Sequence, residues 1–287
     1  MPIVSPRLAI DLSGNVIRII FGSPGGDMRC AEAPAPPGSM AGGSVHDSAA
    51  VAQALRQLLA RAEIRENRAL IAASDALASF RVLSFAKDAT EPKIDAAVRS
   101  QLPADGNRMG FQRQELTVNG SERTIYAVAF DRQKVQKLAA TVRLAGLEPA
   151  VAELKSLCVA RMAPLPSCVV LDLTVEPAEV FLIDRALPRL WHSFKVDPEN
   201  SENAYGRVAS GLRTVLGYYK RQPGGTEFGP EVPILVTSEE VLPPRNRDAV
   251  ETLVGHPIRE MPTPSRVDSE IPYGTYMACV GLLMRRR

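Results

Sequence analysis

Leu8-Ala9-Ile10-Asp11-Leu12-Ser13-Gly14-Asn15-Val16-Ile17-Arg18-Ile19-Ile20-Phe21 opens the chain. The same pattern returns in Val169-Val170-Leu171-Asp172-Leu173-Thr174 and Ala178-Glu179-Val180-Phe181-Leu182-Ile183. The two aspartates stand 161 residues apart (172 minus 11). In each copy an apolar run ends in Asp, Leu and a hydroxyl residue, and a second apolar run follows a short polar turn. Short apolar runs bounded by turn residues read as strands, and two of them joined this closely read as a hairpin. A hairpin heading each half predicts a duplicated, two-lobed fold with a cleft between the lobes. Turns of this kind offer backbone N–H groups and short hydroxyls to a phosphate chain.

The 287 residues suit one large or two ordinary domains, and 45% apolar content supplies a globular core. Basic and acidic residues nearly balance, 34 against 32, and the basic ones are scattered apart from Arg285-Arg286-Arg287. Nucleic acid is therefore not an expected partner. Cys30, Cys158, Cys168 and Cys279 lack paired metal spacing and read as small hydrophobes in a reducing compartment. No stretch approaches the roughly 20 apolar residues that span a bilayer. Residues 1–7 lack the regions of a signal peptide. A cytoplasmic protein that meets a membrane through a partner or an amphipathic tail is expected.

Further along, residues 28–33 read as a third strand, followed by a loop through residue 43. Asp47 or Ser48 caps a helix carrying Val51, Ala54, Leu55, Leu58 and Leu59 at helical spacing. Residues 69–73 form a buried strand. From residue 80 a small insert, or the edge of the first lobe, is expected. Its parts are a strand at 80–85, a helix begun by Pro92, and a strand pair (111–118, 124–130) about Asn119-Gly120. Asp131 caps the next helix, Gly146 closes it, and residues 155–162 form another helix before Pro164-Leu165-Pro166. The second lobe repeats the order: hairpin, third strand near 189–196, long helix near 199–219, strand at 232–237. A helix at 247–254, a strand near Ile258 and a last helix at 273–284 follow. Pro223-Gly224-Gly225 and Gly229-Pro230 bracket a loop. The division expected is 1–163 and 164–287, an α/β architecture with a mixed sheet in each half.

This order resembles the actin-like ATPase superfamily, a two-lobed, duplicated ribonuclease H-like fold with a small α+β insert in the first lobe, which the resemblance sets at about 80–118. Within that superfamily the chain is most similar to the PilM family of type IV pilus assembly proteins, relatives of FtsA. The matching pieces are Ile10-Asp11-Leu12-Ser13-Gly14 before Val16-Ile17-Arg18-Ile19-Ile20, Ala145-Gly146-Leu147-Glu148-Pro149 before residues 154–161, and Tyr276-Met277-Ala278-Cys279-Val280-Gly281-Leu282-Leu283. The resemblance implies a cytoplasmic scaffold at the inner face of the membrane. Such a scaffold holds the tail of a PilN-like bitopic inner-membrane protein and works with other pilus assembly components. The groove expected for that tail lies between the first lobe and its insert, where an extended peptide adds to a strand edge or fills apolar pockets.

The resemblance also implies a nucleotide cleft built from Asp11, Ser13, Gly14, Asn15, Asp172 and Thr174, with Asp11 and Asp172 holding Mg²⁺ if ATP binds. Asp11 has a plainer reading, capping its own turn. Three cleft elements depart from the family pattern. Val175-Glu176-Pro177 stands where a phosphate would sit, with no donor on Pro177 and like charge on Glu176. Ser238-Glu239-Glu240 and Lys195-Val196-Asp197-Pro198 stand where glycine pairs are expected. ATP and Mg²⁺ are thus admitted by the fold but opposed by these residues, and the leading expectation is a scaffold with a degenerate cleft. The competing readings are an active Mg-ATP-binding ATPase of the pilus machinery and a GspL-like secretion-system scaffold. No histidine, serine elbow or Walker loop is assigned to catalysis. The last helix reads as buried in the second lobe, with the terminal arginines complementing its C-terminus.

Overall fold

The computed structural model describes residues 6–102, 108–119, 122–196, 201–222, 225, 227–237, 242 and 244–285. Expectations for Gly120 and for residues 197–198, 223–224, 238–240 and 286–287 lie outside the described residues.

The first hairpin is β1 (Arg7–Asp11) and β2 (Val16–Gly22), paired antiparallel with Asp11 opposite Arg18. β3 (Met28–Pro34) returns beside β2. The stretch read as loop contains a two-stranded hairpin, β4 (Met40–Ala41) and β5 (Ser44–Val45), too short to leave a periodic signal. Asp47 caps α1 (Ser48–Arg61) by accepting from the N–H groups of Ala49 and Ala50, each at 3.0 Å. The helix lays Val51, Leu55 and Leu58 on the sheet. β6 (Arg68–Ala73) then runs parallel to β1.

A 3₁₀ turn at Asp75–Leu77 leads into a separate three-stranded antiparallel sheet. It consists of β7 (Ala78–Ala86), β8 (Met109–Asn119) and β9 (Glu122–Asp131), with β9 in the middle. Because β9 is central, this sheet extends to residue 131. α2 (Glu91–Gln101), begun by Pro92, covers it with Ile94 and Val98. Asp131 caps α3 (Arg132–Leu144) through the Lys134 N–H at 3.1 Å, and Gly146 at φ +88° ends it in a conformation that L side chains avoid. β10 (Glu148–Leu154) pairs with β6, and α4 (Lys155–Met162) follows at once.

The second half repeats the plan. Its elements are β11 (Cys168–Asp172), β12 (Ala178–Asp184), β13 (Leu187–Phe194), α5 (Ser201–Lys220), β14 (Ile234–Val236), α6 (Pro244–Val254), β15 (Ile258–Glu260) and α7 (Tyr273–Leu283). The two main sheets have the orders β3-β2-β1-β6-β10 and β13-β12-β11-β14-β15. In each, the hairpin lies beside its third strand on one side and two parallel strands on the other. The duplication read from the two aspartate runs is therefore a duplication of topology.

One core joins the halves. Ala9, Ile20 and Leu70 of the first sheet and Val170, Phe181 and Leu235 of the second pack with α4 and α7. The two helices cross closely: a methyl added at Gly281 would lie 2.4 Å from the Cys158 carbonyl oxygen, so the contact requires glycine. From Tyr276 to Leu283 α7 is buried on every face, as its apolar sequence there demands. Its C-terminal carbonyls are satisfied by cations from elsewhere in the chain. Arg161 donates to the Gly281 oxygen at 2.6 Å, and Arg7 donates to Leu283 and Arg285. All four cysteines are free thiols. Among the described residues no helix is long and apolar enough to cross a membrane.

Candidate functional site

Both turns at the heads of the hairpins meet between the two sheets. Asn15 and Val16 of the first line a cavity of about 380 Å³ together with Leu173, Thr174, Val175 and Glu176 of the second. A methyl at Gly14 would lie 3.8 Å from Val175 Cγ1, so the two turns stand within ordinary contact distance of each other. Arg18 links the turns, donating to the Thr174 carbonyl at 2.8 Å and to Glu32 at 2.9 Å.

Asp11 is buried, and its Oδ1 accepts the Ser13 N–H at 2.9 Å, the self-capping arrangement of an Asx turn. Ser13 Oγ is buried and has no hydrogen-bond partner among the described residues. Asp172 makes the corresponding bond to the Thr174 N–H at 2.9 Å and more besides. Its Oδ1 also accepts from Thr174 Oγ1 at 2.7 Å and Thr237 Oγ1 at 3.0 Å. Its Oδ2 accepts from Lys155 Nζ at 2.7 Å. Thr237 in turn receives the Leu173 N–H.

Lys155 was legible in the sequence only as the start of a helix. In three dimensions its ammonium lies between the carboxylates of the second hairpin. The lysine is 2% exposed, and its Nζ also donates to Glu179 at 2.6 Å. Glu179 Oε1 is held in turn by Trp191 Nε1 at 3.0 Å. Burial opposes the lysine's charge, but Asp172, Glu179 and the nearby Asp11 carry it above its ordinary value, so it is an ammonium. Burial likewise raises Asp172 intrinsically, yet Lys155 and the Thr174 bonds bring its carboxyl below the usual range. For Glu179 burial wins, and its carboxyl is raised. Two signals in the sequence point here. A lysine opens a helix, where the dipole disfavours it, and a glutamate interrupts an apolar strand.

These residues do not fit a divalent metal. Both oxygens of Asp172 are committed to protein donors, and an ammonium already sits between the carboxylates. Among the described residues no three His, Cys, Asp or Glu side chains converge as a metal site.

The residue after Lys155 faces another buried acid. Asp75 accepts the Ser156 N–H at 2.9 Å and Ser156 Oγ at 2.5 Å. Burial pushes the Asp75 carboxyl up to about 7, against the Ser156 bonds and Lys155, with the Glu179 charge adding to the rise. Leu157, one residue further, lines a different cavity of about 550 Å³. This groove lies between β10 and the three-stranded sheet, with Val151 and Leu154 on one wall and Gln112, Tyr126 and Val128 on the other. Phe80 stacks on Tyr126 at 5.7 Å, and both meet Leu154, Leu157 and Trp191 in one cluster. β10 is the outer strand of its sheet among the described residues.

No family model matches the chain, and no curated protein matches it in sequence. Solved structures match it in fold. Nearly the whole chain (97%) superposes on 97% of a chain in a PilM-PilN type IV pilus biogenesis complex, with TM-score 0.73 and 18% identity. A protein of Bacteroides thetaiotaomicron described as having an actin-like ATPase fold superposes on 98% of the chain and 96% of its own, with TM-score 0.51 and 12% identity. The chain has the actin-like ATPase fold. The cytoplasmic domain of EpsL, an inner-membrane component of the type II secretion system of Vibrio cholerae, shares this fold. There the TM-score is 0.53 at 12% identity, over 99% of this chain and 97% of that one.

Proposed function

We propose that the chain is a cytoplasmic scaffold of a type IV pilus apparatus, in which the groove between β10 and the inserted sheet holds an extended tail of a PilN-like inner-membrane protein. The groove itself carries this reading. It is an open, mainly apolar trough along an edge strand, the arrangement that takes a peptide by strand addition and side-chain pockets. The likeness to the PilM-PilN complex supports it at the level of fold. In this reading residues 1–163 and 164–287 are the two lobes. Membrane association comes through the partner, and other pilus components assemble around the pair. The likeness to the EpsL cytoplasmic domain favours the neighbouring assignment to a secretion-system scaffold, which uses the same fold.

The cleft residues Asp11, Ser13, Gly14, Asn15, Asp172 and Thr174 are read as structural. The ammonium on Asp172 and the valine beside Gly14 oppose the ATPase alternative. Calorimetry with Mg-ATP tests this, and micromolar binding abolished by Asp11→Ala would overturn it.

The scaffold reading is tested with a labelled synthetic peptide of the cytoplasmic tail of the bitopic pilus protein, read by fluorescence anisotropy. Saturable binding to the intact chain is expected, weakened at least tenfold by Val151→Arg or Val128→Arg. Absence of binding by the intact chain, or binding by both variants as tight as by the intact chain, refutes the groove.

A further inference from the structure

In the antiparallel register of the second hairpin, Asp172 stands directly opposite Glu179. Side chains opposite one another on antiparallel strands share a face, and like charges there repel. The first hairpin has the same spacing, seven residues from Asp11 to Arg18 (18 minus 11) and from Asp172 to Glu179 (179 minus 172), but an arginine at the second position. A carboxylate pair that is 2% and 5% exposed requires a cation of its own. In an actin-like cleft a divalent ion would be the obvious candidate, and the donor set here does not fit one.

We propose that Lys155 is the resident cation of this cleft. Its ammonium stands in place of the metal ion, bridges Asp172 and Glu179, and ties α4 to the second lobe without any nucleotide. The geometry is complete without a ligand. Nζ reaches both carboxylates at 2.7 and 2.6 Å. It also lies 5.7 Å from the Phe181 ring centroid, while Glu179 takes a further bond from Trp191. α4 follows the edge strand of the first sheet, so one side chain spans from one half of the duplication to the acids of the other. This inference deepens the reading of an unloaded cleft and rests on it; the peptide groove does not enter.

The test uses the full chain with Mn²⁺ as the metal probe, followed by electron paramagnetic resonance, and thermal unfolding followed by the fluorescence of Trp191, the sole tryptophan. The wild type is expected to bind no Mn²⁺ at millimolar concentration and to keep its midpoint on adding Mg-ATP. Lys155→Met is expected to lower the midpoint by on the order of 10 °C. The triple variant Lys155→Met, Asp172→Asn, Glu179→Gln, which removes the cation and both charges together, is expected to recover most of that loss. The triple variant also decides the matter if the single one fails to fold. A wild-type Mn²⁺ site lost in Asp172→Asn overturns the proposal. So does a Lys155→Met protein as stable as the wild type, or a triple variant no better folded than the single. Binding of Mg-ATP to the wild type without a metal site at Asp172 would refute the unloaded cleft while leaving the cation assignment standing.

Discussion

The two hairpins share strand order, spacing and an aspartate that caps its own turn, yet they solve opposite electrostatic problems. In the first, Asp11 faces Arg18, and the arginine extends outward to Glu32 and to the Thr174 carbonyl. In the second, Asp172 faces Glu179, and the missing positive charge arrives from Lys155 on another element. A duplicated backbone can therefore keep its topology while each copy finds its own counter-ions. The copy with the like-charged pair becomes the one that depends on tertiary structure.

The sharpest way to break this comparison is to neutralise the two aspartates in turn. Asp172→Ala deprives Lys155 of one partner and frees three donor groups, and is expected to cost about 3 kcal/mol. Asp11→Ala removes a turn cap and is expected to cost about 1 kcal/mol. Urea denaturation of both variants checks the ranking, and equal losses would erase the distinction between the hairpins.

A second comparison sets two buried acids against each other by pH. Asp75 is raised to about 7 in the folded chain, so the unfolded state binds fewer protons than the native state between about pH 4 and 7. Its contribution is fully present at low pH and fades as pH rises through 7, by about 2 kcal/mol between pH 5 and 7. Glu179, also raised, acts in the same direction above its ordinary range. Asp172 is lowered, so its contribution is present above its ordinary range and is lost as pH falls below it. Urea midpoints from pH 5 to 8, compared between wild type and Asp75→Asn, isolate the first effect. A pH slope unchanged in the variant would assign it elsewhere.

The smallest differences separate the hydroxyls of the two turns. Thr174→Val removes a donor from an ionised carboxylate and is expected to cost about 1.5 kcal/mol. Ser13→Ala removes a buried hydroxyl that has no partner among the described residues, and is expected to be neutral or slightly stabilising. A marked loss with Ser13→Ala would reveal a partner for that oxygen.

Much of this was readable in advance where the signal is local. The helix from Ser48, the caps at Asp47 and Asp131, the closing Gly146 and the strand pair around residue 120 follow from periodicity and turn chemistry over a few residues. The β4–β5 hairpin was missed because two-residue strands leave no pattern. The terminal helix is buried, as read, but against the first sheet and α4 rather than within the second lobe alone, and the arginines that satisfy its carbonyls, Arg7 and Arg161, are far from it in sequence. Asp11 and Asp172 stand out in the sequence by their repeat. Lys155, Glu179, Thr237 and Asp75 do not, because each acquires its role from a partner on a different element.

The chain by itself determined the duplication, since alternation, caps and turn residues act within a few positions of one another. It also placed Val175, Glu176 and Pro177 in the second turn, where the first has Gly14 and Asn15. Only the packed molecule decided which charge answers which. A buried ammonium is stabilised by whichever carboxylates lie within about 3 Å, and that proximity is set by how α4 crosses between two sheets. No spacing along the chain encodes it.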